Sequence, residues 1–209
     1  MIGEYRKIVE HYENCLAHYG DTPRGVDWTK EAEVDVRYKV MLEVIRRSDA
    51  SAVSLLDFGC GTSHLFEYIL RNSLQSGIEY SGLDLSEKFI EVSKNKFPNI
   101  NYYQADIIKN PDAVPAFDYI VMNGVLTEKR ELSFEEMWEY AQTLLARVFE
   151  KARRGVAFNV MAKTVDWERD DLFHLPMDTL AAFLVKKLSR NFIIRSDYGL
   201  YEYTTYLYR

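Results

Sequence analysis

The sequence predicts an α/β fold: a doubly wound, mostly parallel seven-stranded sheet with helices on both faces, an N-terminal helical cap and a C-terminal antiparallel hairpin. Three observations predict it. From Ala52 onward short apolar runs alternate with amphipathic segments, the pattern of parallel strands connected by crossover helices. The stretch before Ala52 shows helical periodicity only. The chain closes with two aromatic and β-branched runs joined by a short segment containing Gly199, which reads as a hairpin rather than another crossover.

Taken in order, Ile2 to Ala17 and Thr29 to Arg47 are the two helices of the cap, and the loop HYGDTPRGVDW between them carries the glycines and proline that interrupt a helix. The strands follow as VSLLDF (Val53 to Phe58), EYSGLDL (Glu79 to Leu85), INYYQAD (Ile100 to Asp106), FDYIVMN (Phe117 to Asn123) and GVAFNVM (Gly155 to Met161). Before the last of these, Ser133 and Glu136 form a capping box, and Phe134, Met137, Trp138, Ala141, Leu145 and Val148 share one helix face. That face belongs to the core. The hairpin spans Asn191 to Asp197 and Tyr201 to Arg209. No repeat or linker divides the chain, so residues 1–209 are expected to form a single domain, with 1–50 as cap or lid and 51–209 as the core.

Composition narrows the function. At 47% hydrophobic and 28% charged residues the chain is that of a soluble globular protein. A net charge of -6 argues against nucleic acid as partner, because phosphate neutralisation needs clustered Lys and Arg. The many tyrosines lack basic neighbours, so they pack a sheet. Cys15 and Cys60 make no CxxC pair or disulfide framework, which fits a reducing compartment. The segment MIGEYRKIVEHYENC has no signal-peptide core, and no run approaches the length of a membrane span. A cytoplasmic protein with no membrane partner is expected; the sequence is silent on oligomeric state.

The stretch SLLDFGCGTSHLFEYIL (Ser54 to Leu70) poses the chemical question, because an apolar run stops at Asp57 and turns through Gly59 and Gly61 before a helix begins. Glycines there let bare backbone approach a ligand at the carboxyl ends of the strands, where open α/β sheets bind. Asp84 ends the second strand, placed where a carboxylate can accept hydrogen bonds from a ribose diol. Asp106 ends the third strand and Asn123-Gly124 the fourth. Four polar strand ends therefore converge on one edge.

These motifs, LLDFGCGTS, SGLDLSEKFIEVSKNKFP, YYQADI and AFDYIVMNGVLT in that order, resemble those of the class I S-adenosylmethionine-dependent methyltransferases. The likeness is close from Val53 to Met161 and weaker at YEYTTYLYR, and it implies the strand order 3-2-1-4-5-7-6. It further implies that Gly59 and Gly61 line the methionine and ribose, with Asp57 near the cofactor amino group. Asp84 would bind the ribose hydroxyls, Leu85 flank the adenine, Asp106 accept from its exocyclic amine and Ile107 pack on the ring. Asn123 and Gly124 would face the methionyl group and the transfer site. S-adenosylmethionine would be the methyl donor and S-adenosylhomocysteine the product. Two departures stand out: Ser63 replaces a glycine common at that position, and NGVL stands where enzymes acting on nucleobase amines carry an NPPY-like sequence.

A nicotinamide cofactor is the competing reading. His64 stands where the dinucleotide fingerprint needs a third small residue, and no tyrosine and lysine pair of the short-chain dehydrogenase type is evident, so methyl transfer is preferred. The expected acceptor is an oxygen or nitrogen of a small polar metabolite, a sugar or natural-product intermediate among the candidates. A catalytically silent module of the same fold and a protein methyltransferase remain alternatives.

The segment KTVDWERDDLFHLP after the fifth strand supplies His174 as candidate base, since imidazole exchanges protons near neutrality. Asp170 and Asp171 are candidate acceptor ligands. In the cap, Tyr19 and Trp28 lie in or beside the HYGDTPRGVDW loop, where they could cover the site, and Arg37 could pair with the cofactor carboxylate. His11 and His18 lack the i,i+4 spacing of a helical metal pair, so no metal is expected.

Overall fold

The computed structural model describes residues 5–28, 30–46 and 52–209. The ends of the two expected cap helices, at residues 2–4, 29 and 47, lie outside that set.

Two helices precede the sheet: α1 (Arg6–Tyr19) and α2 (Glu31–Leu42), joined by a loop containing a 3-10 turn at Pro23–Val26. Gly20 ends α1 with φ 65°, and Thr22 caps the turn by accepting from the Gly25 N–H. Then come β1 (Val53–Phe58), α3 (His64–Arg71), β2 (Ile78–Asp84), α4 (Glu87–Lys96), β3 (Asn101–Gln104) and β4 (Phe117–Met122). The chain continues through α5 (Phe134–Lys151), β5 (Ala152–Ala162), β6 (His174–Leu175), α6 (Met177–Lys187), β7 (Phe192–Arg195) and β8 (Glu202–Tyr208). The expected capping box is formed: the Ser133 hydroxyl accepts from the Glu136 N–H, and the Glu136 carboxylate accepts from the Ser133 N–H.

One sheet organises these elements in the order β3-β2-β1-β4-β5-β8-β7, parallel except where β8 runs antiparallel between β5 and β7. The order is the expected one. The difference is an added strand, because β6 pairs with only Met161 and Ala162 of β5, which shifts the numbering of the terminal pair by one. Two residues are too few to leave a period in the sequence, and this strand exists only through its partner.

Side chains alternate across the strands, so the sheet divides the core into two layers. Leu56, Phe58, Ile120, Met122 and Phe158 pack beneath α5 and α6 with Tyr5 and Ile8 of the α1 segment. Leu55, Tyr80, Tyr119, Val121 and Ala157 pack against α2 and α3 on the other face. Helices thus cover both faces of the sheet. Among the described residues, no helix is long and apolar enough to cross a membrane.

Candidate active site

The turn after β1 is built from left-handed backbone. Gly59 and Gly61 take φ of 76° and 53°, and the Gly59 and Cys60 N–H groups both donate to the Leu83 carbonyl of β2 at 2.7 and 2.9 Å. A Cβ on Gly59 would stand 2.6 Å from Val125 Cγ2, so glycine is required for space as well as for conformation. Ser63 also takes a left-handed φ, 65°; its hydroxyl donates to Ser93 at 2.9 Å and lies 2.9 Å from the Tyr102 hydroxyl. Those bonds hold a conformation that serine seldom adopts.

Asp84, at the end of β2, is held from two sides. One carboxylate oxygen accepts from the Gly61 N–H at 3.0 Å and the other from the Ser86 N–H at 2.9 Å. Burial pushes its carboxyl up to about 6, against the pull of those amides. Asp57, one strand away, accepts the Tyr80 hydroxyl at 2.8 Å and is pushed up to about 7, by burial first and by the Asp84 charge as well. A buried carboxyl at Asp57 and a part-buried one at Asp84 thus flank the glycine turn, with no cation bonded to either among the described residues.

These groups open on a cleft of about 1000 Å³, counting its mouth. Asp57, Gly59, Gly61, Asp84, Leu85, Asn123, Gly124 and Trp28 all line it. The far wall comes from α1 and α5 through Tyr5, Ile8, Val9, Tyr12 and Tyr140. That wall was missed as a site element, although 5, 8, 9 and 12 carry the i, i+3, i+4, i+7 spacing of a helix face.

A ring of hydrogen bonds ties the β4 end to the terminal hairpin and the cap. The Gly124 N–H donates to Asn159 Oδ1 at 2.8 Å, and Asn159 Nδ2 donates to Glu202 Oε1 at 3.0 Å. Arg37 Nε donates to the other Glu202 oxygen at 2.9 Å. The Arg37 guanidinium lies 5.4 Å from the Trp28 ring centre, and a Cβ on Gly124 would sit 3.5 Å from that ring. The ring of contacts therefore returns to its start. Asn159 and Glu202 are nearly inaccessible; neither was legible as a site residue, because their meeting depends on the β5–β8 register. Asn123 stays outside this ring: both atoms of its side-chain amide are buried and unpaired.

Other expected residues stand away from the cleft. The Arg37 guanidinium is bonded to Glu202 and, at 3.2 Å, to Glu33, so it fastens α2 to β8. Asp106 bonds the Tyr5 hydroxyl and accepts from the Ile108 and Lys109 N–H groups at 3.1 and 3.3 Å, while Ile107 is buried in the core. Tyr19 is exposed and packs edgewise on His18. Asp170 is exposed, and Asp171 is bonded to Arg169 and Arg130.

The expectation for His174 as base needs correcting on geometry. Its Nδ1 is 2.7 Å from the Ala162 carbonyl and its Nε2 accepts from the Arg169 N–H at 3.2 Å. That pattern describes a neutral ring donating at Nδ1 with its lone pair already in use. His174 pins the segment between β5 and β6.

Residues 56–155 match the family model described as a methyltransferase domain. The chain is 26% identical over 157 residues to Rv1506c of Mycobacterium tuberculosis, which carries the provisional name of a methyltransferase; the match covers 74% of this chain and 92% of that one. Among solved structures it resembles magnesium protoporphyrin IX methyltransferase from Synechocystis with bound S-adenosylmethionine, at TM-score 0.63, 17% identity and coverage of 97% and 96%. It also resembles the 1,6-didemethyltoxoflavin-N1-methyltransferase of Burkholderia thailandensis with its substrate and S-adenosylhomocysteine, at TM-score 0.65, 17% identity and coverage of 99% and 89%. Residues 56–155 thus carry a methyltransferase domain, and the strand order and the likeness to these solved structures give the chain the Rossmann-like fold of S-adenosylmethionine-dependent methyltransferases.

Proposed function

We propose that the chain methylates an oxygen or nitrogen of a small polar metabolite, with sugars and natural-product intermediates as the leading classes. The observation that carries this reading is the Asn123 amide, which is buried with donor and acceptor both unpaired at the end of β4. Each unmet group costs about 1–3 kcal/mol, and a polar ligand reaching it recovers that cost. Trp28 and the tyrosines of the α1 and α5 wall frame the same cleft.

The residues present fit the donor. Gly59 and Gly61 line the cleft with backbone that bears no side chain, and Asp84 holds a fixed carboxylate where hydroxyls would donate to it. Asp57 offers a carboxylate to an ammonium. When bound, S-adenosylmethionine supplies a methyl group already activated on a sulfonium. The chain then has to hold the acceptor in line and keep water out, which can contribute several kcal/mol through near-attack alignment alone. With both His174 nitrogens occupied, this reading needs no dedicated base; an acceptor hydroxyl or ammonium releases its proton to solvent at the cleft mouth.

The test is S-adenosylhomocysteine production with a panel of hydroxyl and amine metabolites, run beside radiolabelled methyl transfer to proteins and peptides. Turnover confined to small acceptors is expected. Label appearing only in polypeptide would favour the protein-acceptor reading, and cofactor binding without product from any acceptor would favour a silent module.

A further inference from the structure

Outside the cleft, the strongest cluster joins α1 to the loop that follows it. His11 and Cys15 are one turn apart on α1, and the loop brings Asp27 over them. Asp27 Oδ2 is 2.8 Å from His11 Nε2, Cys15 Sγ is 3.7 Å from the same nitrogen, and the three ligand atoms lie within 4.8 Å of one another. We propose that His11, Cys15 and Asp27 form a binding site for a zinc-type divalent cation, which fastens the Trp28 loop to α1.

Four features of the cluster support the assignment. Imidazole, thiolate and carboxylate together are a donor set that suits zinc. Bonds of about 2.0 Å to nitrogen and 2.3 Å to sulfur at a tetrahedral angle put N and S roughly 3.6 Å apart, close to the observed His11–Cys15 separation. The His11–Asp27 pair needs to open by only about half an ångström to accept an ion between its atoms. The surrounding charges also favour a cation, because the carboxylates of Asp27 and the buried Glu128 act on Cys15 with Arg130 as the opposing charge. Arg130 is already engaged by Glu128 and Asp171 at 3.3 Å each. The expectation that no metal binds considered only His11 and His18. The i,i+4 pair on this helix is histidine with cysteine.

Binding balances simply. The Cys15 thiol releases its proton to buffer, the His11 ring carries its remaining proton on Nδ1, and the ion takes one nitrogen, one sulfur and one oxygen, leaving a position for water. Because Asp27 directly precedes Trp28, the ion ties the residue covering Gly124 to the helix that walls the cleft.

The test titrates cobalt(II) into reduced, metal-stripped full-length protein, with zinc as competitor. A saturable one-to-one signal is expected, with thiolate-to-cobalt charge-transfer absorption and tetrahedral d–d bands, displaced by zinc. Cys15→Ser should abolish the charge-transfer band, His11→Ala and Asp27→Asn should weaken binding at least tenfold, and His18→Ala should leave it unchanged. Zinc near 100 times its Kd should raise the wild-type Tm by roughly 5–10 °C and leave Cys15→Ser unmoved, a readout that needs no substitution in the wild-type arm. No cobalt absorption, or a band that survives Cys15→Ser, overturns the proposal and leaves an ordinary histidine–aspartate hydrogen bond. None of these readouts depends on methyl transfer.

Discussion

The two halves of the sheet handle buried polar groups in opposite ways. At the ends of β1, β2 and β4, Asp57 is buried and Asp84 part-buried without a cation, the Asn123 side-chain amide has no partner, and four residues hold left-handed backbone at 59, 61, 63 and 124. Along β8 all seven residues are buried, yet the polar ones are nearly all satisfied. Glu202 takes Arg37 and Asn159; Tyr203, Tyr206 and Tyr208 donate to the Leu175, Val40 and Val44 carbonyls; Thr205 is the one buried hydroxyl left unpaired. Unmet polarity raises the energy of the free protein and is recovered by a ligand. The ligand edge is therefore organised for binding and the antiparallel edge for stability.

Substitutions should separate the two edges. Asp84→Ala removes the carboxylate proposed to accept the cofactor hydroxyls and should weaken S-adenosylmethionine binding by about 100-fold, with little loss of Tm, because desolvating that carboxylate is itself costly. Calorimetric titration beside thermal melting reads both. Glu202→Ala should do the reverse, leaving Arg37 without its buried partner and costing about 3 kcal/mol of stability, while cofactor affinity falls less than tenfold. A Glu202 variant that melts normally but fails to bind would break the contrast, because the Asn159–Gly124 bond links the edges.

Gly59→Ala and Gly199→Ala sharpen it further, since both glycines have φ near 75° but only Gly59 faces a side chain at contact distance. The first should cost roughly 2–3 kcal/mol and impair binding; the second should cost about 1 kcal/mol and leave binding alone. Chemical denaturation and titration of both variants decide the point. His174→Ala should lower stability by about 1–2 kcal/mol through two lost hydrogen bonds, with kcat falling no more than the folded fraction does. A large kcat loss in fully folded protein would restore His174 to the chemistry.

A pH titration probes the ligand edge alone. Asp57 and Asp84 have folded-state values raised above those of an unfolded carboxyl. The native state holds more protons than the unfolded chain between about pH 4 and 7. Their contribution to stability is therefore complete below pH 4 and lost as pH rises through about 6 and 7. Cofactor affinity should move the opposite way, strengthening from pH 5 to 8 as both carboxyls ionise. Melting and titration across that range should give opposed slopes, and parallel slopes would remove these two groups from binding.

How much was legible follows the same division. Strand ends were readable because apolar runs stop at Asp57, Asp84 and Asn123, and glycines announce the turn by the space they leave. The α1 wall was also present as a periodic stripe, as was the His11 and Cys15 spacing. Tertiary partners were not. β6 has two residues and no period, Asn159 and Glu202 look like ordinary strand positions until the register pairs their neighbourhoods, and Arg37 has two carboxylates that sequence separation hides. His174 misled for a related reason: whether an imidazole is free depends on what lies beside it, here Ala162 and Arg169. Sequence spacing thus identified residues that line the cleft better than those that hold them.

The most direct measurement is calorimetric titration of ligand-stripped protein and its Asp84→Ala variant with S-adenosylmethionine, S-adenosylhomocysteine and NADH. The account predicts that the wild type binds both sulfur ligands tightly and ignores NADH, and that the variant loses about 100-fold toward both. NADH binding alone, or an Asp84→Ala variant that binds the sulfur ligands as the wild type does, would contradict the placement of the cofactor on the β1–β2 edge.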